Sequence, residues 1–477
     1  MTLNDDICYK ALLSRDPRFD GRFYTCVKTT GIYCRPVCPA VTPRRKNVVF
    51  LPSAAAAEAA DFRPCRRCRP ETSPGTPAWL GTSVTVTRGL RLINEGYLDT
   101  HSVDDLADRL GLGSRHLARL FNEHLGASPV AVAQTRRVHF ARNLLEQTDW
   151  TMTRVALAAG FGSLQRFNYL MKKTFRLSPT DLRARSKSPG ANGAVTFRLP
   201  FREPYDWPAL LTYLGGRAIP GVERVTDDTY ARTLLWHDAP AVITVSRPAG
   251  VSHLLLQVET GSTEGVIDLV SRVRRMFDCG ADPHLIAAHL SADRRLAKCV
   301  KRRPGLRLPV AWDPFELTVR AILGQQVSVA AATTVSGRIA AKFGTALAGD
   351  SRPGLTHLFP TATSLADADL SGLGLTTRRA ATVRGLAAAV ATGRLDFDPA
   401  GGPEAVLAAL VALPGIGPWT AQYAAMRALG EPDAFPTADL GLKKAAPGLD
   451  LARHSACWRP WRAYAALHLW QSLSDGA

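Results

Sequence analysis

The chain contains 477 residues, of which 46% are hydrophobic, and it carries a formal net charge of +18. This length predicts three or four domains with their own cores, and the charge favours a polyanionic partner, although a solvated basic surface would give the same balance. No apolar run reaches membrane-spanning length, and the first residues lack the apolar segment of a signal peptide. We therefore expect a cytoplasmic protein without a membrane partner.

Residues 1–75 form the first predicted domain, which contains six of the nine cysteines. Four of them form the pairs Cys34/Cys38 and Cys65/Cys68, with the C-x3-C and C-x2-C spacings that are typical of a tetrahedral zinc site. A reducing cytosol also favours a metal over disulfides. The spacing alone is consistent with a purely structural zinc module.

The residues around these cysteines are more specific than their spacing. The segments 29–36 (TTGIYCRP) and 62–68 (FRPCRRC) resemble the N-terminal domain of the Ada-type adaptive-response proteins, a small α+β zinc domain. This resemblance implies one zinc ion on the four cysteines, with Cys34 as the nucleophile that accepts a methyl group from a methylphosphotriester in DNA. Zinc keeps such a thiol ionised at neutral pH. Nearby arginines would bring DNA phosphate close, among them Arg35, Arg45 and Arg67.

Methylation of Cys34 would remove one negative charge from the zinc centre, because a thiolate becomes a neutral thioether. One unit charge beside one phosphate at about 4 Å is worth roughly 1 to 4 kcal/mol. We therefore expect the methylated protein to bind DNA more tightly, with a gain that shrinks as salt is added.

Residues 84–185 predict an all-α domain. Ser102 and Asp105 form a capping box, and a glycine turn followed by a basic helix at 110–121 is typical of a helix-turn-helix, a pattern that returns at 152–175. The two copies resemble the AraC-type regulators, which implies promoter DNA and RNA polymerase as partners. The candidate DNA-contacting residues are Arg115, His116, Arg119, Gln165, Arg166 and Asn168. His116 is equally compatible with a solvated surface histidine.

After a polar, glycine-containing linker at 186–193, residues 194–305 predict an α+β domain. Alternating apolar runs indicate strands, with helices near 207–214 and 265–277. The segment Pro204–Trp207, with Tyr213 and Arg217, resembles the N-terminal domain of the 3-methyladenine DNA glycosylase II type. The resemblance implies that Tyr213 faces a base pocket, whereas the residues alone predict an interior aromatic of its helix.

Residues 306–477 predict an all-α core organised around the stretch 413–444. Its glycines and prolines exclude a helix at 413–418, and an alanine-rich helix follows. Such a turn offers N–H groups and a positive helix end to an anion. Asp439, later in the stretch, would by default be a helix cap.

This stretch resembles the helix-hairpin-helix DNA glycosylases, most closely the same 3-methyladenine type. The resemblance implies that Asp439 is the catalytic carboxylate. It also implies a hairpin that binds DNA phosphate through its backbone, together with a monovalent cation. The hairpin residues are Leu413, Gly415, Ile416 and Gly417.

The resemblance further implies an aromatic pocket for a flipped, positively charged base. Its residues would be Trp419, Tyr423, Trp470 and Tyr213. Gln326 stands where relatives carry an apolar side chain that fills the gap left by the flipped nucleotide, and Leu440 stands where they carry a tyrosine. Strand-cutting relatives use a lysine amine at the position of Trp419, so we expect base excision without strand cleavage.

The sequence thus predicts a multidomain, mainly α protein that combines methylphosphotriester sensing, transcription activation and excision of N-alkylated purines from double-stranded DNA. The alternative is a methylation-sensing regulator with an inactive glycosylase module. Gln326 and Leu440 give it some weight, whereas Asp439 and Trp419 argue against it. A further alternative is a glycosylase that the N-terminal part merely localises on DNA. No Pro-Cys-His-Arg motif is present, so no O6-alkylguanine methyltransferase activity is expected.

Overall fold

A computed structural model describes residues 4–74, 84–185, 195–347, 353–398 and 403–475, so the predicted linker 186–193 lies outside the described residues. Within these ranges the chain is mainly helical and contains two small sheets, which confirms the predicted fold class. None of the described helices is long and apolar enough to cross a membrane.

The N-terminal unit is built on a four-stranded sheet of order β3-β1-β2-β4. Its elements are α1 Asp5–Ser14, β1 Tyr24–Val27, β2 Ile32–Cys34, β3 Val48–Leu51, α2 Ala54–Ala59 and β4 Arg63–Pro64. β2 and β4 are parallel, with Tyr33 opposite Pro64. Because neighbouring parallel strands end at the same edge, the cysteines that close β2 and follow β4 meet there.

The second unit consists of eight helices and holds both predicted helix-turn-helix motifs. They are α3 Val84–Asn94, α4 Tyr97–Thr100, α5 Val103–Arg109, α6 Ser114–Leu125, α7 Pro129–Gln147, α8 Met152–Ala158, α9 Leu164–Phe175 and α10 Pro179–Ala184. The predicted capping box of Ser102 and Asp105 starts α5. The 19-residue helix α7 joins the two motifs.

The third unit packs a five-stranded antiparallel sheet of order β5-β9-β8-β7-β6 against helices. Its elements are β5 Val195–Pro200, α11 Trp207–Gly215, β6 Glu223–Val225, β7 Thr229–Trp236, β8 Ala239–Ser246, β9 His253–Thr260, α12 Val266–Met276, α13 Pro283–Leu290 and α14 Arg294–Arg302. The predicted helices near 207–214 and 265–277 correspond to α11 and α12.

The fourth unit is helical and carries the hairpin between two helices. Its helices are α15 Pro314–Leu323, α16 Val329–Phe343, α17 Ala362–Ala366, α18 Thr377–Ala391, α19 Pro403–Val411, α20 Pro418–Arg427, α21 Leu440–Ala445, α22 Leu451–His454 and α23 Arg462–Asp475. Its core also includes buried residues of α13 and α14, such as Ile286 and Leu296. The core therefore extends across the predicted boundary at residue 305.

The second and third units share buried surface. Phe140 of α7 stacks on Phe197 of β5 with ring centroids 5.6 Å apart, and both belong to one apolar cluster. Arg136 of α7 forms an ion pair with Asp268 of α12. The long helix between the two helix-turn-helix motifs is thus also the support of the second sheet.

The zinc-binding unit is fixed to the same helix by a buried carboxylate. Glu58 of α2 accepts hydrogen bonds from the hydroxyls of Tyr33 (2.8 Å) and Thr135 (2.7 Å), and it lies 2.7 Å from Nε2 of His139 on α7. Burial of Glu58 opposes its charge, yet His139 holds the Glu58 pKa below its usual value. Tyr33 adjoins Cys34, so this network connects the cysteine cluster with α7.

Candidate functional site

The four predicted zinc ligands come together at one edge of the first sheet. The sulfur atoms of Cys34, Cys38, Cys65 and Cys68 all lie within 4.8 Å of one another, and Cys38 Sγ is 4.0 Å from Cys65 Sγ. A tetrahedral site with Zn–S bonds of about 2.3 Å places sulfurs roughly 3.8 Å apart. Four soft thiolates at this spacing fit a single zinc ion.

The four cysteines differ in access to solvent. Cys34 is half-buried, whereas Cys38, Cys65 and Cys68 are only 6%, 7% and 8% exposed. The backbone N–H of Arg35 also donates to Cys68 Sγ at 3.3 Å. Cys34 is therefore the thiol of this cluster that an external group reaches most easily.

The three arginines predicted to approach DNA phosphate have different surroundings. Arg35 forms an ion pair with Asp20 and donates to the hydroxyl of Thr72 at 3.0 Å, so it braces the cluster. Arg45 donates to Asp5 at 2.8 Å, and Arg67 is exposed. Their contacts with DNA stay predictions.

The second helix of each helix-turn-helix motif presents a polar face to solvent. Phe121 of α6 and Phe167 of α9 are fully buried and anchor the opposite faces. All six predicted DNA-contacting side chains are exposed on these two helices: Arg115, His116, Arg119, Gln165, Arg166 and Asn168. This geometry suits a double helix-turn-helix, and the individual contacts stay predictions.

In the fourth unit, Asp439 lies at the N-terminus of α21, where it accepts a hydrogen bond from the backbone N–H of Leu442 at 2.9 Å. It is thus the helix cap that the residues alone predict. Two indole N–H groups also donate to its carboxylate, from Trp419 to Oδ2 at 2.8 Å and from Trp470 to Oδ1 at 2.9 Å. These three donors are neutral, so they orient the carboxylate without cancelling its charge.

All four predicted pocket aromatics gather beside Asp439. Trp419 and Tyr423 stack with ring centroids 5.4 Å apart and an interplanar angle of 13°, and Tyr423 lies 6.4 Å from Trp470. Tyr213 reaches in from α11, with its hydroxyl 3.2 Å from that of Tyr423. The group therefore joins α11, α20 and α23 around one half-buried carboxylate.

The hairpin that precedes α20 requires its glycine. Gly415 has φ +87°, and a Cβ there would lie 2.1 Å from Thr382 Oγ1. Ile416 is 4% exposed, so the turn offers its backbone rather than this side chain. Gly417 is the N-cap residue of α20 and has no side chain to cap the helix. The free N–H groups at this helix end are therefore suited to an anion.

The two departures from the family pattern lie at the surface. Gln326 is exposed and has φ +56°, in the left-handed region that non-glycine residues seldom adopt. Leu440, which follows the candidate carboxylate, is 73% exposed. An unusual backbone at Gln326 suits a side chain that projects from its loop.

Sequence reasoning missed two residues of this site. The Gln325 amide donates to the Gly415 carbonyl and to Thr420 Oγ1, both at 3.0 Å, and so joins the Gln326 loop to the hairpin. Arg427 lies one helical turn after Tyr423 and is 4% exposed. A lone arginine in the alanine-rich run 424–429 was the available signal for Arg427.

Asp293, His454 and Cys457 form a second grouping of metal-binding side chains within the described ranges. The Asp293 carboxylate is already occupied, because it accepts from Arg295 N and from Trp458 Nε1 and lies 2.7 Å from His454 Nε2. A hydrogen-bonded helix cap accounts for this grouping without a metal.

The cysteine cluster, the paired helix-turn-helix motifs and the hairpin with its carboxylate define a DNA-binding repair protein. Models of four families match along the chain: the metal binding domain of Ada over residues 7–71, a helix-turn-helix domain over 106–185, the AlkA N-terminal domain over 196–313, and the HhH-GPD superfamily base excision DNA repair protein over 319–456.

Curated relatives cover the same units. A Mycobacterium tuberculosis (strain H37Rv) protein named "Probable bifunctional transcriptional activator/DNA repair enzyme AlkA" is 41% identical over 485 residues, which cover 99% of this chain and 97% of that protein. DNA-3-methyladenine glycosylase 2 of Escherichia coli is 36% identical over 57% of this chain and 96% of its own length. The bifunctional transcriptional activator/DNA repair enzyme Ada of Escherichia coli is 34% identical over 41% of this chain and 53% of its own length.

The chain therefore belongs to the family of bifunctional transcriptional activator/DNA repair enzymes of the AlkA type. The resemblances to Ada-type, AraC-type and helix-hairpin-helix proteins are confirmed, as is the assignment of a zinc-binding domain.

Proposed function

We propose that the chain removes N-alkylated purines of the 3-methyladenine kind from double-stranded DNA and leaves the strand uncut. The observation that carries this proposal is the carboxylate of Asp439, which two tryptophan N–H groups hold beside stacked aromatic rings. A base inside the duplex must leave the stack before these groups can reach it. The hairpin at Gly415–Gly417 would bind the phosphate backbone next to the flipped nucleotide.

The chemistry divides between the rings and the carboxylate. An N-alkylated purine is positively charged, so it is attracted to the faces of Trp419, Tyr423 and Trp470 and is already a good leaving group. As the glycosidic bond breaks, positive charge develops on the sugar. Asp439 would stabilise that charge and orient the attacking water. Strand cleavage would need an amine nucleophile. The chain has Trp419 at the position where strand-cutting relatives carry a lysine.

The substitution Asp439→Asn tests this proposal. Asparagine caps a helix as well as aspartate does, so the fold should persist. We expect release of 3-methyladenine to fall at least about 100-fold, as for loss of a key electrostatic group. Asp450→Asn is the matched control, because Asp450 caps α22 in the same way. Wild-type release by Asp439→Asn would eliminate Asp439 as the catalytic group.

We also propose that Cys34 accepts a methyl group from a methylphosphotriester. The greater exposure of Cys34 relative to the other three cysteines supports this choice. The thiolate would attack the methyl carbon, an S–C bond would form, and the O–C bond would break to leave a negatively charged phosphodiester. Zinc would keep the thiols ionised. The centre would then carry one negative charge less and bind promoter DNA more tightly.

Mass spectrometry after exposure to methylated DNA tests this transfer. We expect one added methyl group on the peptide that contains Cys34 and none on that peptide in Cys34→Ser. Promoter affinity should rise on methylation, most strongly at low salt. An unmodified Cys34 peptide would exclude the transfer, and equal affinities at both salt levels would exclude the switch.

Two further expectations are also proposals. RNA polymerase would be the partner of a promoter-bound activator. A monovalent cation at the hairpin would use carbonyl oxygens such as that of Gly415, which accepts one hydrogen bond from Gln325 and retains a second lone pair.

A further inference from the structure

A buried arginine that the proposed chemistry does not use lies behind the pocket aromatics. Arg427 Nε donates to the Pro309 carbonyl, and its Nη1 donates to the Tyr423 hydroxyl at 3.3 Å. No carboxylate in the described part of the chain forms an ion pair with it. Burial lowers the Arg427 pKa to about 9, so the side chain remains protonated at neutral pH. A positive charge therefore lies against Tyr213 and Tyr423.

The hydroxyls of Tyr213 and Tyr423, which we call the tyrosine pair, are 3.2 Å apart. They carry two hydrogens between them, and one of these forms the bond within the pair. A guanidinium has no lone pair, so Arg427 cannot accept the other hydrogen. No other acceptor among the described residues bonds to either hydroxyl. Whichever tyrosine carries it, one O–H remains to be donated to a group that enters the pocket.

The ring of Tyr213 is poorly suited to stacking on a cationic base. The guanidinium carbon of Arg217 lies 3.9 Å from its centroid, and that of Arg427 lies 4.6 Å from it. Two cations already interact with this ring, and a third would meet their repulsion. Tyr213 therefore contributes its hydroxyl. Arg427 also lies over the Tyr423 ring, but at a longer centroid distance of 5.8 Å and without a second cation among the described residues, so Tyr423 remains a stacking face beside Trp419 and Trp470.

We propose that the tyrosine pair, oriented by Arg427, is a hydrogen-bond donor that determines which flipped bases the pocket prefers. Asp439 must lie beside the sugar, so the pair meets the opposite edge of the base. At the six-position of that edge, O6 of 7-methylguanine can accept this hydrogen bond and the N6 amino group of 3-methyladenine cannot, so the donor favours 7-methylguanine. This inference rests on the proposed base excision and specifies its substrate preference.

Competition within one substrate tests the proposal. DNA treated with a simple methylating agent carries both lesions, and the initial rates at which the two bases are released give a ratio. In Tyr213→Phe/Tyr423→Phe, which loses only the two hydroxyls, we expect the ratio of 7-methylguanine to 3-methyladenine to fall about 10-fold, as for one lost hydrogen bond. Both hydroxyls must be removed, because either tyrosine alone would keep a free O–H. Tyr9→Phe removes a hydroxyl in the zinc-binding unit and should leave the ratio unchanged. Equal losses for both bases, or an unchanged ratio, would overturn the proposal.

Arg427 is a positioning residue and has its own test. Arg427→Met should lower the ratio as Tyr213→Phe/Tyr423→Phe does, and Arg427→Lys, which keeps the charge, should restore part of it. The two variants differ in the charge at position 427. If the ratio of released bases falls in line with the loss of folding stability in both, whatever that charge, the positioning role of Arg427 is contradicted. If Arg427→Met does not fold, Tyr213→Phe/Tyr423→Phe decides whether the tyrosine pair is the donor.

A binding measurement separates this inference from the excision chemistry. If the wild-type protein releases neither base, base excision itself is refuted, and binding of free 7-methylguanine and free 3-methyladenine then decides the donor. Quenching of tryptophan fluorescence reports that binding, since Trp419 and Trp470 line the pocket. A preference for 7-methylguanine that disappears in Tyr213→Phe/Tyr423→Phe supports the donor, and the same preference in both proteins overturns it.

Discussion

The cysteine cluster and the proposed base-excision site around Asp439 hold negative charge in different ways. The cysteine cluster suits a metal ion, and ion pairs such as Arg35–Asp20 and Arg69–Glu71 surround it. Asp439 is held by two indoles and one backbone N–H, and within the described ranges no lysine or arginine forms an ion pair with it.

This difference follows from what each site must do. A carboxylate that stabilises a transient cation must keep its full charge, and neutral donors fix its position without neutralising it. A thiolate that accepts a methyl group must be ionised beforehand, and a bound metal would ensure that. The proposed base-excision site would therefore be reusable, whereas the proposed methyl acceptor would change charge once and retain the change.

Removal of the metal should have the largest effect on this comparison. The double substitution Cys65→Ser/Cys68→Ser should abolish stoichiometric zinc and unfold the N-terminal unit, because structural zinc contributes about 10–16 kcal/mol in small domains. Base release should persist, because the fourth unit has its own apolar core. Metal analysis and base release on one preparation measure both. Substitution of the exposed Cys457, which lies outside the cluster, is the control. Zinc retained by the double variant would refute the zinc site.

Loss of one of the neutral N–H donors that bond Asp439 should have the next largest effect, on the rate of base release. Trp419→Phe keeps an aromatic face but removes the N–H that bonds Asp439, so base release should fall roughly 10- to 100-fold, as for a hydrogen bond to a charged group. Trp236→Phe removes an indole N–H that bonds the Glu264 carbonyl in the third unit and should have little effect. Unchanged release by Trp419→Phe would mean that neutral donors do not position the carboxylate.

Acid should destabilise the helical core that carries Trp470. Burial lowers the pKa of His468 on α23 to about 4, and its Nδ1 is buried without a partner. The unfolded chain takes up this proton near pH 6.5 and the folded chain near pH 4. His468 therefore does not reduce the free energy of unfolding above pH 6.5, and it lowers that free energy by about 2 kcal/mol at pH 5.

Urea unfolding at pH 7 and pH 5 measures this loss. His468→Gln does not titrate in this range, so its stability should fall less between the two pH values than that of the wild type. An equal fall in both proteins would show that other groups cause the acid sensitivity.

Much of this architecture could be predicted from local signals. Cysteine spacing predicts the zinc ligands, the glycine-proline run predicts the hairpin, and Asp439 caps the next helix as its residue type suggests. The apolar cluster shared by α7 and β5 could not be predicted, because it depends on faces that pair across distant segments. For the same reason the sequence did not indicate that Arg427 would meet Tyr213, which lies 214 positions earlier in the chain.

The most direct test of the central claim, that one chain carries two separable chemistries, is a single incubation with DNA that contains both methylphosphotriesters and methylated purines. Free bases and the methylation of the Cys34 peptide are measured together. The account predicts that Asp439→Asn gains a methyl group but releases almost no base, and that Cys34→Ser releases base at the wild-type rate without that methyl group. Loss of both activities in either variant, or wild-type release by Asp439→Asn, would contradict it.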